Sequence, residues 1–580
     1  MHYVSSLKVK NFKSIKNADF SLEAYTPIVG YNNAGKSNII FSLKWLLQKE
    51  KLGEEAFNNS AEPIEVEGVI NGVTNEIIEN LPANQQAQIN PFIQNEELKI
   101  KRVQVCPNAS APQQQLLVWH PIEEDWKSNP TGIDNALKKL FPEAIEIAAM
   151  MDAAEDVSKF KTSTTIGKLI AEVLAPIEEN HSTAIKAALE ELKKKFDADS
   201  LERAAEFIDF DRQATDKLQA IFPGIELKLH VPTPEIKDIF KAGTVKIFEH
   251  GNSRDITAFG HGTQRSVQMA LLRQLAEVKL SEGSTNTTTL LLIDEPELYL
   301  HPQAIEQVRS SLKLLSENGY QVVFSTHSPQ MIPAEDVKNT LLIRKTEEGG
   351  TVARQTIKSA VERVETDAVS QYQLLFSLEY ANQILFSEGV LLTEGKTEKR
   401  LLPKIFEKKY GYTLGQKQLA LVDQGGVQNT VKAQKVLDVM NIPCKAIVDL
   451  DFAFQGAISQ GLIDKADQSI VFCKSLFPQN PDVALDSNTG LPTKQGTVKP
   501  SEAFEWLAQH NDAQPEIQKL HELLKQNNIW LWKKGAIEPH LGISAKTEEA
   551  WANFIQTLET NGISQIADAD FHAMLDWINE

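Results

Sequence analysis

Thr26-Pro-Ile-Val-Gly30-Tyr31-Asn32-Asn33-Ala34-Gly35-Lys36-Ser37-Asn38 is the stretch on which the fold turns. A short apolar strand, Thr26 to Val29, runs into a loop that fits G-x-x-x-x-G-K-[ST], and a helix is predicted from Ser37 through Leu47. The glycines let main-chain N–H groups wrap phosphate oxygens, and the helix N-terminus adds partial positive charge. In that setting Lys36 reaches the β- and γ-phosphates and Ser37 offers its hydroxyl to Mg²⁺. Asn32, Asn33, Gly35 and Asn38 belong to the same phosphate-binding stretch.

A partner segment lies far downstream. Leu290-Leu-Leu-Ile-Asp294-Glu295-Pro296 reads as a buried strand ending in two acids. Asp294 is placed to hold Mg²⁺ through water, and Glu295 to polarise the attacking water. A helix over Pro302 to Glu317 leads to a second apolar strand, Gln321 to Phe324, followed by Ser325-Thr326-His327-Ser328. This βαβ unit implies parallel strands, and His327 stands where a γ-phosphate sensor would. Upstream, Tyr3 to Val9 and Ile15 to Phe20 read as strands, as do Ile64 to Ile70 and Leu98 to Val105. Helices are predicted from Ile133 onward. Ile185, Ala188, Leu189, Leu192 and Phe196 form the apolar stripe of a packed helix. There is no sustained heptad pattern, internal repeat or low-complexity tract.

The alternation resumes near Leu385. Strands are predicted at Gly389 to Thr393, Leu419 to Asp423 and Ala446 to Leu450, with helices at Glu398 to Lys408 and Val431 to Met440. Thr366 to Ser387 is the predicted linker. Glu394 and Glu398 flank a strand-to-helix turn, and Asp449 and Asp451 end a later parallel strand. Parallel strands bring such ends to one edge of a sheet. Four carboxylates there repel one another unless cations compensate, and hard oxygen ligands favour Mg²⁺ or Mn²⁺. Two such ions suit hydrolysis of a phosphodiester.

The 580 residues exceed one core and suggest roughly three or four domains. Apolar content of 42% and charged content of 24% are ordinary for a globular protein. A net charge of −19 argues against coating nucleic acid by bulk electrostatics, though not against a local basic patch. No apolar run approaches the roughly 18 residues of a membrane span, and no secretory signal opens the chain, so a cytoplasmic place is expected. Cys106, Cys444 and Cys473 form no zinc set.

The order of loop, Asp-Glu strand and His strand resembles the ABC ATPase head of chromosome-maintenance and recombination proteins. The signature segment is then Phe259-Gly-His-Gly262-Thr-Gln264-Arg265, which keeps Gly262 and Gln264 but lacks the family's serine. Heads of this kind sandwich ATP between two copies, which implies a homodimer or tetramer, with Leu298 to Pro302 as a dimer-contact loop. The downstream carboxylates resemble a Toprim domain. The two together resemble the overcoming-lysogenization-defect (OLD) nucleases, including those of Gabija and retron-type defence systems.

That resemblance adds Asp423-Gln-Gly425-Gly426-Val-Gln-Asn429 as a glycine pair and Trp532-Lys533-Lys534-Gly535-Ala-Ile-Glu538 as a late Lys-Gly-x-x-Glu segment. There Lys533 or Lys534 neutralises the transition-state phosphate and Glu538 completes the metal site. The fold it implies is α/β: an ABC-type P-loop head with an inserted helical dimerisation element, followed by a C-terminal Toprim α/β domain. The expected boundaries are 1–130 and 246–375 for the head, 131–245 for the insertion and 380–580 for Toprim with its C-terminal helices. The implied activity is ATP-regulated, metal-dependent cutting of double-stranded DNA, with ATP and Mg²⁺ or Mn²⁺ as cofactors and no membrane partner. The implied setting is anti-phage defence, beside a helicase-like protein or a reverse transcriptase with its RNA and DNA. The alternative is a DNA-repair or chromosome-organising ATPase whose Toprim-like domain binds without cleaving; the absence of long coiled-coil arms counts against it. A topoisomerase would need an active-site tyrosine and DNA-gate domains, for which the chain has no room, and a primase would have to incorporate nucleotides.

Overall fold

The computed structural model describes residues 1–110, 113–141, 144–147, 165–232, 246–249, 251–282, 288–367, 371, 382–423 and 429–580. They fall into two compact units, one of residues 1–26 and 37–326 and the other of residues 27–36 and 327–580.

In the first unit, strand Tyr3–Phe12 pairs antiparallel with Ile15–Ser21 on one side and Ile64–Asn71 on the other. The sheet continues through Glu97–Gln104, Gln114–His120 and Asp125–Ser128. Ile64–Asn71 and Glu97–Gln104 alternate buried and half-buried residues without a break. This is the pattern of an antiparallel sheet with one covered face. A parallel set follows, with Thr289–Asp294 between Tyr320–Thr326 and Ile145–Ile147. Leu290 to Ile293 and Val322 to Phe324 are wholly buried, as strands covered on both faces should be, and helix Pro302–Glu317 makes the crossover.

Residues 131–245 were expected to be helical, and the structure is more mixed. Helix Ile133–Leu140 buries Ile133, Ala136, Leu137 and Leu140, and Ile145–Ile147 hydrogen-bonds beside the Asp294 strand. Helices Thr165–Phe196 and Ala205–Gln219 follow. The stripe read as packed is only partly covered: Ile185, Leu189 and Phe196 are half-buried, with Phe196 edge-on to Phe207, while Ala188 is exposed. Leu192 is 45% exposed, and Ala205–Gln219 buries no residue at all. Helical period reports an apolar face but not what lies against it.

In the second unit, Leu341–Thr346 pairs in parallel with Ile28 to Gly30 and antiparallel with Gly350–Ala353. A four-stranded parallel sheet comes next, in the order Leu419–Asp423, Gly389–Thr393, Cys444–Val448, Ile529–Leu531. Val390, Leu392, Ala446 and Val448 feed one apolar core. Leu391, Ile447, Trp530 and Trp532 feed the other, with Phe406, Phe571 and Trp577. The period-two alternation therefore explains why these strands are apolar throughout. Much of the predicted linker and residues 424–428, with Gly425 and Gly426, lie outside the described residues.

Candidate functional site

The phosphate-loop residues divide between the units. In the second, Lys36 Nζ donates to the carbonyls of Gly30 and Tyr31, each at 3.0 Å, and lies 2.8 Å from His327 Nε2. Gly35 has φ +100° and Asn33 φ 63°, so the loop turns through left-handed backbone. Ala34 accepts from the buried Thr351 hydroxyl at 2.8 Å, which ties the loop to strand Gly350–Ala353. Asn32 and Asn33 are exposed.

In the first unit, Ser37 Oγ donates to Asp294 Oδ2 at 2.7 Å, and Ser325 donates to Oδ1 of the same carboxylate. The pair expected to share a metal ion is thus already hydrogen-bonded. Glu295 has φ 48°, and its N–H donates to Ser325. Arg265, buried behind this turn, donates to the Asp294 and Glu295 carbonyls at 3.0 and 2.8 Å. Burial brings its guanidinium down to about 10, against the opposing pull of Glu297, Asp294 and Glu295. Asn38 donates to Ser14 at 2.6 Å. In the signature segment Gly262 lies in the first turn of helix His261–Glu282. Gln264 is buried and donates to Phe259 O at 2.8 Å, so its side chain turns into its own fold.

The downstream carboxylates do come together. Glu394 follows strand Gly389–Thr393, and Glu398 sits on the buried face of helix Lys396–Tyr410, where it accepts from Trp532 Nε1 at 3.3 Å. Glu394 Oε2 accepts the Asp449 N–H at 3.4 Å. The sequence reading put both aspartates on one side of a strand end, but the strand stops at Val448. Leu450 is helical and wholly buried, and Asp451 opens the short helix Asp451–Phe454. Strand alternation therefore does not align the two acids; a turn does. It is pinned by Leu450 N–H donating to Gly535 O at 2.8 Å. Glu538 joins from below, accepting from the buried Thr397 hydroxyl.

Gly535 explains why a glycine stands in the late lysine segment. Its φ is +103°, and an added Cβ would lie 2.7 Å from Glu505 Cγ and 3.0 Å from Glu505 Cα. Gly535→Ala should destabilise the protein by about 3 kcal/mol or more, through left-handed strain plus overpacking. Denaturant unfolding of the variant checks this; loss under 1 kcal/mol would mean that the turn relaxes freely.

The electrostatics match five crowded acids. Burial, then Asp451, pushes the Glu394 carboxyl up to about 7. Asp449 is raised well above the carboxylate range by burial and by Glu398 and Glu394. Burial also raises Asp451 and Glu398. Among the described residues one cation faces them: Lys546 Nζ lies 3.2 Å from Glu538 Oε2 and 3.9 Å from Asp449 Oδ2. Burial lowers Lys546, but Asp449, Glu538 and Glu398 more than offset it and hold the ammonium above its usual value. Glu505 stands near, raised by burial and by Glu538. Neither Lys546 nor Glu505 carries a local sequence pattern; only the tertiary fold brings them in.

A raised carboxyl favours the protonated form. Its contribution to stability is present below about pH 4.5 and is lost as pH rises through about 7. In the presence of a chelator, Glu394→Gln should therefore gain on wild type by up to about 3 kcal/mol between pH 5 and 8.5. Paired unfolding curves at the two pH values measure it, and a constant difference would contradict the crowding.

Lys533 and Lys534 point elsewhere. Lys533 Nζ pairs with Asp570 at 2.7 Å, and Lys534 Nζ with Asp568 at 2.6 Å. Those aspartates and the buried His540 bring ligand atoms within 4.8 Å of one another. The two lysines already balance that group, and His540 Nε2 accepts the Lys534 N–H. Asp451 Oδ1 and Asp570 Oδ2 are each buried without a hydrogen-bond partner, but Asp570 already pairs with Lys533 and faces His540, whereas the carboxylates around Asp451 are left with more negative charge than Lys546 balances.

Comparison with known proteins finds two families along the chain. The AAA ATPase domain family matches residues 3–332. The overcoming-lysogenization-defect protein-like TOPRIM domain matches residues 385–451. The Old nuclease of Escherichia phage P2 is 36% identical over 96% of this chain and 95% of its own. The chain belongs to the OLD family of ATPase–nucleases. Endonuclease GajA of Bacillus cereus (strain VD045) is 24% identical over 70% of this chain and 68% of its own. The OLD nuclease of Thermus scotoductus is 27% identical over 34% of this chain and 37% of its own. An OLD-family chain joins an ATPase to a TOPRIM domain, and such domains use nucleotide and divalent metal. Among the described residues of this OLD chain, no helix is long and apolar enough to cross a membrane.

Proposed function

We propose that this OLD-family chain is an ATP-regulated, divalent-metal-dependent DNA endonuclease or nickase that acts in bacterial anti-phage defence. The observation that carries the reading is the group of five carboxylates, Glu394, Glu398, Asp449, Asp451 and Glu538, faced by one ammonium. So much negative charge, half or wholly buried, calls for cations. In this reading those carboxylates hold Mg²⁺ or Mn²⁺, which when bound lowers the pKa of a water and stabilises the leaving 3′-oxygen. The chain's own contribution is orientation. Gly535 O fixes the Asp449–Asp451 turn, and Trp532 and Thr397 fix Glu398 and Glu538. Lys546 takes the electrostatic role toward the phosphate that resemblance gave to Lys533 or Lys534.

For ATP, Lys36 binds the phosphates, and Ser37 and Asp294 hold Mg²⁺. Glu295 orients the water and His327 faces the γ-phosphate. Asn32, Asn33, Gly35 and Asn38 complete the loop, and Gly262 and Gln264 form the signature presented to a second copy. Association through the helices within 131–245 is supported by the apolar residues left exposed there, Ile208, Phe210, Ile221 and Phe222. A DNA substrate is supported by helix Lys396–Tyr410. Lys396, Lys399, Arg400, Lys404, Lys408 and Lys409 outnumber Glu398 and Glu407 there, in a chain of net charge −19. Lys396 and Lys399 are exposed, have no ion-pair partner among the described residues and flank the acidic cluster. The defence setting and a helicase-like or reverse-transcriptase partner rest on the family resemblance, and a cytoplasmic place on the sequence having no apolar run of membrane length.

The test is relaxation and linearisation of supercoiled plasmid with Mg²⁺ or Mn²⁺, with and without ATP. Cutting that needs the metal and responds to ATP supports the reading. Binding without any cutting, with and without candidate partners, would leave a DNA-binding ATPase.

A further inference from the structure

The phosphate loop and the nuclease strand meet through three side chains of one compact unit. Tyr31 is the second residue of the loop, and the Arg344 guanidinium lies over its ring, 4.5 Å from the centroid. Burial and the nearby Glu388 carboxylate hold the Tyr31 hydroxyl above its usual range. Arg344, itself almost wholly buried, closes the triangle. Its Nε lies 3.2 Å from Glu388 Oε1, and it donates to the Ser387 carbonyl at 3.1 Å. Its other donor contact is to Ile343 O at 3.1 Å, on the strand that pairs with the start of the loop. Arg344 is buried while the Glu388 side chain is 40% exposed, so losing Glu388 would leave a buried guanidinium without its counter-charge.

Both ends of this triangle lead to a site. On one side the Tyr31 carbonyl accepts from Lys36 Nζ, which also reaches Gly30 O and His327. A bound triphosphate claims the Lys36 ammonium, so the main-chain hold on Tyr31 changes with nucleotide. On the other side Glu388 is the residue before strand Gly389–Thr393, and Glu394 is the residue after it. That strand is fully buried and hydrogen-bonded on both edges. It spans about 17 Å and moves as a rod rather than bending.

We infer that Tyr31, Arg344 and Glu388 form a relay that carries nucleotide occupancy from Lys36 to the Glu394 carboxylate. Arg344 and Glu388 are positioning residues that touch neither ATP nor DNA. The inference rests on the ATP-regulated nuclease reading and states which side chains deliver the regulation. The relay works in either direction, so it applies whether ATP promotes cutting or restrains it.

The test is amide hydrogen exchange of the full-length chain with and without a non-hydrolysable ATP analogue, which needs no cleavage activity. In wild type, exchange in the peptide covering Gly389 to Glu394 should change by at least about two-fold when the analogue protects residues 30–37. In Glu388→Gln and in Arg344→Lys, protection at 30–37 should persist while the response at 389–394 disappears. Two variants are used because substitution of the buried Arg344 could unfold the chain, whereas Glu388 is partly exposed. Plasmid cutting gives the second readout: the ratio of rates with and without ATP should fall toward one in both variants, with ATP affinity within two-fold of wild type. No response at 389–394 in wild type, or an equal response in both variants, overturns the relay. Failure of wild type to cut DNA would instead count against the nuclease reading, and the exchange result would still decide the relay.

Discussion

Glu394→Gln is expected to reduce metal-dependent plasmid cutting about 100- to 1,000-fold while ATP hydrolysis stays within two-fold of wild type. The substitution keeps the shape of the side chain and its hydrogen bond from Asp449 N–H, but removes a charge from the centre of the cluster. Loss of one charged ligand weakens ion binding and misplaces what remains, an effect of this size where charge develops in a buried site. The same variant should be more stable than wild type at high pH without metal, because it relieves the repulsion that raises its carboxyl. A catalytic loss joined to a gain in stability separates a damaged site from a damaged fold. Time courses of plasmid relaxation, run beside phosphate release, read both. Cutting within ten-fold of wild type would mean that the chemistry is elsewhere.

Lys36→Ala is expected to lower ATP hydrolysis about 100-fold or more and to make plasmid cutting indifferent to ATP. Lys36 is the ammonium inside the loop, held by two carbonyls and His327. A charge-assisted contact to a phosphate carries about 2 to 3 kcal/mol, and the transition state adds charge to the same oxygens. Metal-dependent cutting without ATP should survive. Residual hydrolysis above one-tenth of wild type would place ATP elsewhere.

Both halves of the molecule were legible where chemistry sits in consecutive residues. The loop at Gly30 to Ser37, the Asp294-Glu295 strand end and the 389–449 alternation are local patterns, and the structure forms their strands within a few residues. What the sequence concealed depends on distant contacts. Asp449 and Asp451 were read as a strand pair, yet a turn held by Gly535 brings them together, across some eighty residues of chain. Lys546 lies in Ser544-Ala-Lys-Thr547, which resembles any exposed loop, and reaches the acids only through the fold. Lys533 and Lys534 carried the pattern, but Asp570 on the last helix and Asp568 at its N-cap hold them. The strands Gln114–His120 and Asp125–Ser128 were missed because Trp119 and Trp126 pair across an open face, and apolar residues there blur the alternation. The stripe ending at Phe196 is apolar as its period implies, but only partly covered, with Phe196 against Phe207 and Leu192 exposed.

The central claim is that the carboxylates around Glu394 are the metal centre, and a crystal of the chain soaked in Mn²⁺ tests it most directly. Anomalous density bounded by Glu394, Asp449 and Asp451, absent from Asp449→Asn crystals, is the result this account predicts. Density at His540, Asp568 and Asp570 instead, or none near Glu394 at Mn²⁺ concentrations that support cutting, would contradict it.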